Sequence, residues 1–180
     1  DAYEKLVANE DPATVVAGHN SLVAYVNAPL SKNAFRPEFR AILDSMAVGS
    51  VKVPFYNAGD NTFNLIKLVS KVQAPDSVQL TQLAVIGASA EEIKQRTDSV
   101  MNALAGGANF AELAKAYGQP TDTFWVTSAQ YENSPMDESG ANYVTTINTT
   151  PANQVAKVEM LQGNLIVKVL NRNAITTKCN

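Results

Sequence analysis

The stretch Ala103-Leu104-Ala105-Gly106-Gly107-Ala108-Asn109-Phe110-Ala111-Glu112-Leu113-Ala114-Lys115-Ala116-Tyr117-Gly118 holds three helix boundaries and one helix face in a single run. Gly106-Gly107 ends a helix, because a residue without Cβ enters the left-handed region at least cost. Asn109 with Glu112 three positions on caps the next one. Phe110, Leu113, Ala114 and Tyr117 then recur at helical spacing, and Gly118 closes the turn. The preceding helix starts at Ser89, whose partner Glu92 completes a capping box, and buries Ile93, Val100 and Leu104.

Working outward from this pair, Val78-Gln79-Leu80-Thr81-Gln82-Leu83-Ala84-Val85 alternates as a half-buried strand does, and Pro75-Asp76-Ser77 before it reads as a linker. Farther upstream, Phe35, Phe39, Ile42, Leu43 and Met46 form one stripe of a helix that Gly49 is expected to stop as the residue after the cap. Asp11-Pro12 offers an N-cap followed by Pro at the first helical position. The run Leu22 to Val26 could be helix or strand; periodicity does not decide, and helix is the preferred expectation. Ser50-Val51-Lys52-Val53-Pro54, Gly59 and Asn64-Leu65-Ile66-Lys67-Leu68-Val69 are echoed by Gln154-Val155-Ala156-Lys157-Val158, Gly163 and Asn164-Leu165-Ile166-Val167-Lys168-Val169. Each copy reads strand, turn, strand, so two related units are expected. Between Gln119 and Pro151 the chain is rich in Thr, Ser, Asn and Pro; it holds Trp125 and one short helix between Asp137 and Ile147, ended by Pro151. The order β-α-α-(loop)-α-β-β predicts an α+β fold, helices on a small antiparallel sheet.

Composition narrows the chemistry. The chain has 180 residues, 46% hydrophobic and 17% charged, with a net charge of −3. That balance excludes a disordered chain, and the lack of a Lys/Arg run argues against a nucleic-acid partner. A single His19 and a single Cys179 exclude a His/Cys zinc cage and an intramolecular disulfide. His19, in Ala17-Gly18-His19-Asn20-Ser21, reads as a solvated turn residue rather than a catalytic base. Gly87-Ala88-Ser89-Ala90-Glu91 falls short of a nucleophile elbow, so Ser89 is read as a cap. Asn148-Thr149-Thr150 is a bare glycosylation sequon, and Asp122, Glu132, Asp137 and Glu138 lack the spacing of a calcium loop. No run of 18 apolar residues occurs, so no membrane contact by this piece is expected. Its opening, Asp1-Ala2-Tyr3-Glu4-Lys5, reads as the middle of a helix, and the chain as a piece of a longer polypeptide.

With these residues quoted, Leu104 to Tyr117 ("L-x-x-G-A-x-F-x-x-L-A-x-x-Y") and the Gly163-to-Val169 strand resemble a parvulin-type peptidyl-prolyl cis-trans isomerase domain over residues 78 to 172. The N-terminal part resembles the second half of another such domain, or the connecting region, of SurA- and PpiD-type envelope folding factors. The resemblance implies an FKBP-like α+β fold. It divides the chain into an incomplete related unit at 1–74, a parvulin-like domain at 75–172 and a C-terminal extension at 173–180.

It also implies a prolyl bond held in a small apolar pocket beside two histidines, and here the chain departs from the family. Gln82 and Leu165 stand at the two histidine positions, Asn64 stands at the second one in the first unit, and the family's glycine-rich loop shrinks to Thr121-Asp122-Thr123-Phe124-Trp125. No catalytic residue is therefore assigned. The peptide-binding candidates are Trp125, Met136 and Tyr143, with Phe35 and Phe39 in the first unit, although plain helix core is the preferred reading of those two. The expectation is a folding-assistance module of the periplasm or cell envelope that binds unfolded polypeptide, outer-membrane protein segments among them, with little or no isomerase activity and no cofactor or metal. An active isomerase and a structural spacer are the alternatives.

Overall fold

A computed structural model describes all residues except 133 and 135. Its elements are α1 (Ala2–Val7), α2 (Pro12–Gly18), β1 (Leu30–Ser31), α3 (Pro37–Ser45), β2 (Val51–Asn57), β3 (Thr62–Lys67), β4 (Lys71–Val85), α4 (Ala90–Ala105), α5 (Phe110–Ala116), β5 (Phe124–Thr127), α6 (Glu138–Thr149), β6 (Val155–Met160) and β7 (Gly163–Cys179). Short 3-10 turns follow β1 and β5, at Lys32–Ala34 and Ser128–Gln130. The architecture is α+β. Two compact units divide it: unit 1 is Asp1–Gln73 with Tyr131–Pro135 and Thr176–Asn180, and unit 2 is Ala74–Gln130 with Met136–Ile175.

Unit 2 is built on the strand order β5-β4-β7-β6. Because successive strand residues point to opposite faces, β4 and β7 feed two apolar layers. Leu83 and Val85 of β4 and Ile166 of β7 meet Val100 of α4 and Phe110 and Ala114 of α5 on one face. Val78 and Leu80 with Val167 and Val169 meet Ile147 of α6 on the other. Burial of such side chains contributes roughly 1.5–3 kcal/mol each and holds the helices to the sheet. The helix ends follow the local chemistry: Ser89 Oγ accepts the Glu92 N–H at 3.2 Å, while Glu92 Oε2 returns to the Ala88 N–H at 2.7 Å. Asn109 Oδ1 caps α5 at the Glu112 N–H, 3.1 Å away, and Gly107 takes φ +92° between the two helices.

Gly163 has φ +150°, and a Cβ placed there would fall 2.3 Å from the Val85 carbonyl oxygen. The start of β7 thus lies directly against the end of β4, a seat that only glycine fits.

Unit 1 packs α3 onto its strands through Leu43, Leu68 and Cys179, with Phe35, Met46 and Ile66 around them. Its hairpin β2–β3 pairs Val51 with Lys67, and the unit 2 hairpin β6–β7 pairs Val155 with Lys168. The strand, turn, strand echo is therefore kept where the two hairpins begin, and a bulge between Lys52 and Phe55 shifts the first one beyond that point.

Several local expectations are corrected. Pro75-Asp76-Ser77 is no linker but part of β4, where Ala74 is buried and proline's fixed φ suits extended backbone. Leu22 to Val26 forms neither helix nor strand; Leu22 and Val23 are exposed, so nothing apolar selects a period there. Helix α3 begins at Pro37 and ends at Ser45 with Met46 as its extended cap, so Phe35 and Met46 flank the helix, and Gly49, at φ +85°, lies in the turn that leads into β2 instead of at the helix end. The Gln119 to Pro151 segment contains β5 and a full-length α6, so Trp125 sits in a strand, not a loop.

Candidate functional site

The side chain of Asp137 accepts the Gly140 N–H at 2.7 Å and starts α6. Ala141, Val144 and Ile147 turn inward from there and are buried. Tyr143 lies beside this stripe, half-buried, with its ring on the Val78, Leu80 and Ile147 layer and its hydroxyl donating to Gln82 Oε1 at 3.1 Å. Burial pushes the Tyr143 phenol up to about 12. It is therefore a neutral donor throughout the physiological range.

Side-chain alternation decides what shares this face. On β4, Gln82 continues the row of Val78 and Leu80. On β7, Leu165 continues the row of Val167 and Val169, opposite Val158 of β6. Gln82 and Leu165, expected from the sequence to stand at the family's histidine positions, thus lie on the face that carries Tyr143. The remaining candidates divide. Trp125 is paired with Gln79, so its ring stands on the opposite face, whereas Phe124 is paired with Leu80 and shares the face with Tyr143. The sequence alone does not single out Phe124, because which of the two adjacent rings shares this face is set by the pairing of β5 with β4. Met136 lies against Gly140, where a Cβ would sit 3.6 Å from Met136 Cγ, and contributes an apolar edge before the helix.

Asn64, Phe35 and Phe39 belong to unit 1. Phe35 packs on the Leu43 core, and Phe39 meets Phe55 edge-on at 6.1 Å beneath the Arg36 guanidinium, 6.0 Å from its ring centre.

Other readings resolve locally. His19 is half-buried at the end of α2, with Nδ1 2.7 Å from the Val15 carbonyl oxygen and Nε2 3.3 Å from Asp1 Oδ1. Asn148 of the sequon is buried within α6. Among the described residues no cluster of His, Cys, Asp and Glu could hold a metal ion, and no helix is long and apolar enough to cross a membrane. A shallow depression of about 270 Å³ lies between the start of α6 and the β6–β7 turn, lined by Asp137, Glu138, Glu159, Met160 and Leu161. Neither Tyr143 nor Gln82 lines it.

The chemistry of the Tyr143 face is that of hydrogen bonding and apolar contact. A phenol and an amide can orient a peptide carbonyl, but neither a thiolate nor an imidazole is present to attack a bond or relay a proton.

A family model described as the PPIC-type PPIASE domain matches residues 63–173. Among solved structures, the crystal structure of PrsA from Bacillus subtilis is similar at 18% identity and a TM-score of 0.39, over 55% of this chain and 36% of that one. The similarity thus spans about a third of that protein's length. No curated protein matches the sequence.

Proposed function

We infer, from the premise that this chain belongs to the PPIC-type peptidyl-prolyl isomerase (parvulin) family, that unit 2 assists protein folding by holding extended polypeptide, with little or no isomerase turnover. The observation that carries this reading is the bond from the Tyr143 hydroxyl to Gln82 Oε1, with Leu165 on the same face. An amide and an aliphatic side chain stand where the family carries imidazoles.

Prolyl isomerisation has a barrier of about 20 kcal/mol that arises from partial double-bond character, so a catalyst has only to bind the twisted amide better than the planar one. That selectivity needs polar groups fixed around the carbonyl. Here the face offers an apolar floor of Phe124, Leu165 and the Tyr143 ring, and one neutral phenol-amide pair. Such a floor accepts a proline or other apolar side chain in either isomer about equally, which gives binding without acceleration. A shallow, half-exposed face buries few anchors, and its affinity for peptide is expected to be micromolar or weaker. We place the module in the periplasm or another envelope compartment, and its clients among unfolded outer-membrane proteins. Both assignments rest on the family's envelope folding factors, and an export signal in the gene encoding the chain would support the first.

A proline-limited refolding assay tests the reading. The uncatalysed phase takes tens of seconds, so acceleration is readily measured. A flat rate, together with slower aggregation of an unfolded client and chemical-shift changes at Tyr143 and Leu165 on peptide titration, is the expected result. A clear rate increase at catalytic amounts that Tyr143→Phe abolishes means an active isomerase. Absence of shifts at millimolar peptide means a spacer.

A further inference from the structure

Backbone hydrogen bonds of unit 1 recur one by one in unit 2. Where α1 gives way to α2, Ala8, Asn9 and Glu10 donate to the carbonyls of Glu4, Leu6 and Lys5 at 2.9, 3.2 and 3.0 Å. Where α4 gives way to α5, Gly106, Gly107 and Ala108 donate to Asn102, Leu104 and Ala103 at 3.0, 3.1 and 3.0 Å. Asn9 and Gly107 both have positive φ, and the caps Asp11 and Asn109 come two residues later in each case. After the helix, Met46 donates to Ile42 as Thr150 does to Thr146, and Ser50 to Ala47 as Gln154 does to Pro151. The hairpins then close identically: Gly49 to Leu68 and Asn153 to Val169 at 2.7 Å, Leu68 to Ser50 and Val169 to Gln154 at 3.1 Å. Even the cation at the helix exit is kept, since Lys71 Nζ donates to the Leu43 and Met46 carbonyls at 3.1 and 3.4 Å and the Arg172 guanidinium donates to that of Asn148.

This correspondence assigns a role to the last residues of β7. In unit 2, Val126 and Thr127 of β5 pair with Val78 and Ser77 of β4, and a 3-10 turn follows. In unit 1, Leu30 and Ser31 of β1 pair with Cys179 and Lys178, and a 3-10 turn follows. Cys179 packs on Leu43 and Leu68 as Val78 packs on their counterparts Ile147 and Val169. On its other side Asn180 exchanges two backbone bonds with Ser70, both 3.0 Å.

We propose that unit 1 is a second copy of the unit 2 fold assembled from non-contiguous pieces, in which Thr176–Asn180 docks as the opening strand into an acceptor seat between Leu30-Ser31 and Val69-Ser70. The seat reads its occupant by two side chains that alternate across the strand. Cys179 is fully buried in the apolar pocket, so a small apolar residue is required there. Lys178 is 1% exposed with its ammonium 3.9 Å from Glu132 Oε1, and the same oxygen accepts the Ser31 N–H at 2.9 Å, so a long cation is required at the neighbouring position. A strand with a basic residue followed directly by a small apolar one fits, and main-chain pairing on both edges supplies the attachment.

Hydrogen exchange on the full chain and on a chain ending at Ile175 tests this. Removal of Thr176–Asn180 is expected to raise exchange at least tenfold through α3 and β2–β3 while amides of α4 and Leu80–Val85 stay within twofold. A synthetic peptide of residues 175–180, added at millimolar concentration, is expected to restore protection to unit 1, and the same peptide carrying Cys179→Asp is not. Unchanged exchange in α3 after truncation overturns the strand role. Loss of protection in both units, or opening that the wild-type peptide does not reverse, overturns the acceptor seat.

Discussion

Tyr143 and Gln82 are joined by a 3.1 Å hydrogen bond from helix α6 to the central strand β4. The phenol gives its proton to an acceptor that cannot ionise. Electrostatically the centre of the face is therefore silent at neutral pH, and binding of an uncharged peptide there is expected to be independent of pH between about 6 and 9.

Stability, by contrast, is expected to carry a signature of Tyr143 at high pH. Its folded-state value lies near 12 because of burial, against about 10 for an unfolded tyrosine. Between those values the unfolded chain has lost the proton and the folded chain keeps it, so the stability this group contributes is intact below pH 10 and falls as pH rises toward 12. Tyr143→Phe is expected to lower stability by about 1 kcal/mol at pH 7 and to flatten that alkaline slope, as urea melts from pH 8 to 12 read out. An equally steep slope in the variant means the phenol is not its source.

The register of β4 and β5 separates the two neighbouring rings. Phe124→Ala is expected to weaken peptide binding at the Tyr143 face several-fold, and Trp125→Ala to leave it within about twofold, since the side chain opposite Gln79 faces away. Isothermal titration with an extended apolar peptide measures both. The reverse order means that peptide lies on the other side of the sheet.

Gly163→Ala brings a methyl group into the Val85 carbonyl oxygen and holds a side chain at φ +150°. A destabilisation of about 2 kcal/mol or more is expected in chemical denaturation. Gly107→Ala, where a Cβ meets nothing within 4 Å but φ is +92°, is expected to cost about 1 kcal/mol from backbone conformation alone.

Cys179 is fully buried, and burial pushes its thiol up. In the native chain it is expected to resist alkylation at pH 8 and to react at full rate in urea. Fast labelling without denaturant means that the strand end leaves its pocket.

What the sequence disclosed was what its short-range chemistry controls. Ser89 with Glu92 and Asn109 with Glu112 form the caps that their spacing predicts, because cap and donor lie within one turn. The hairpin echo likewise survives as paired Val51–Lys67 and Val155–Lys168, since a β-branched residue and a turn determine register locally. Phe124 was not legible, because which of two adjacent aromatic residues faces the site depends on pairing with Leu80, a partner far away in sequence. Nor was Cys179 as a core residue: a polar run with one thiol carries no apolar pattern, and its burial comes from Leu43 and Leu68, which lie more than a hundred positions earlier.

The pairing of Leu30 with Cys179 joins residues far apart in sequence, on either side of unit 2, and this bears on the order in which contacts form during synthesis. Apart from one short excursion, unit 2 is a continuous stretch from Ala74 to Ile175, so its contacts close over shorter loops. Unit 1, although it comes first in synthesis, has its edge strand β1 unmatched until Cys179 emerges. Closing so long a loop makes that the slowest contact to form, so the edge of β1 stays open while the intervening residues are made, and the chain is most prone to aggregate during that interval.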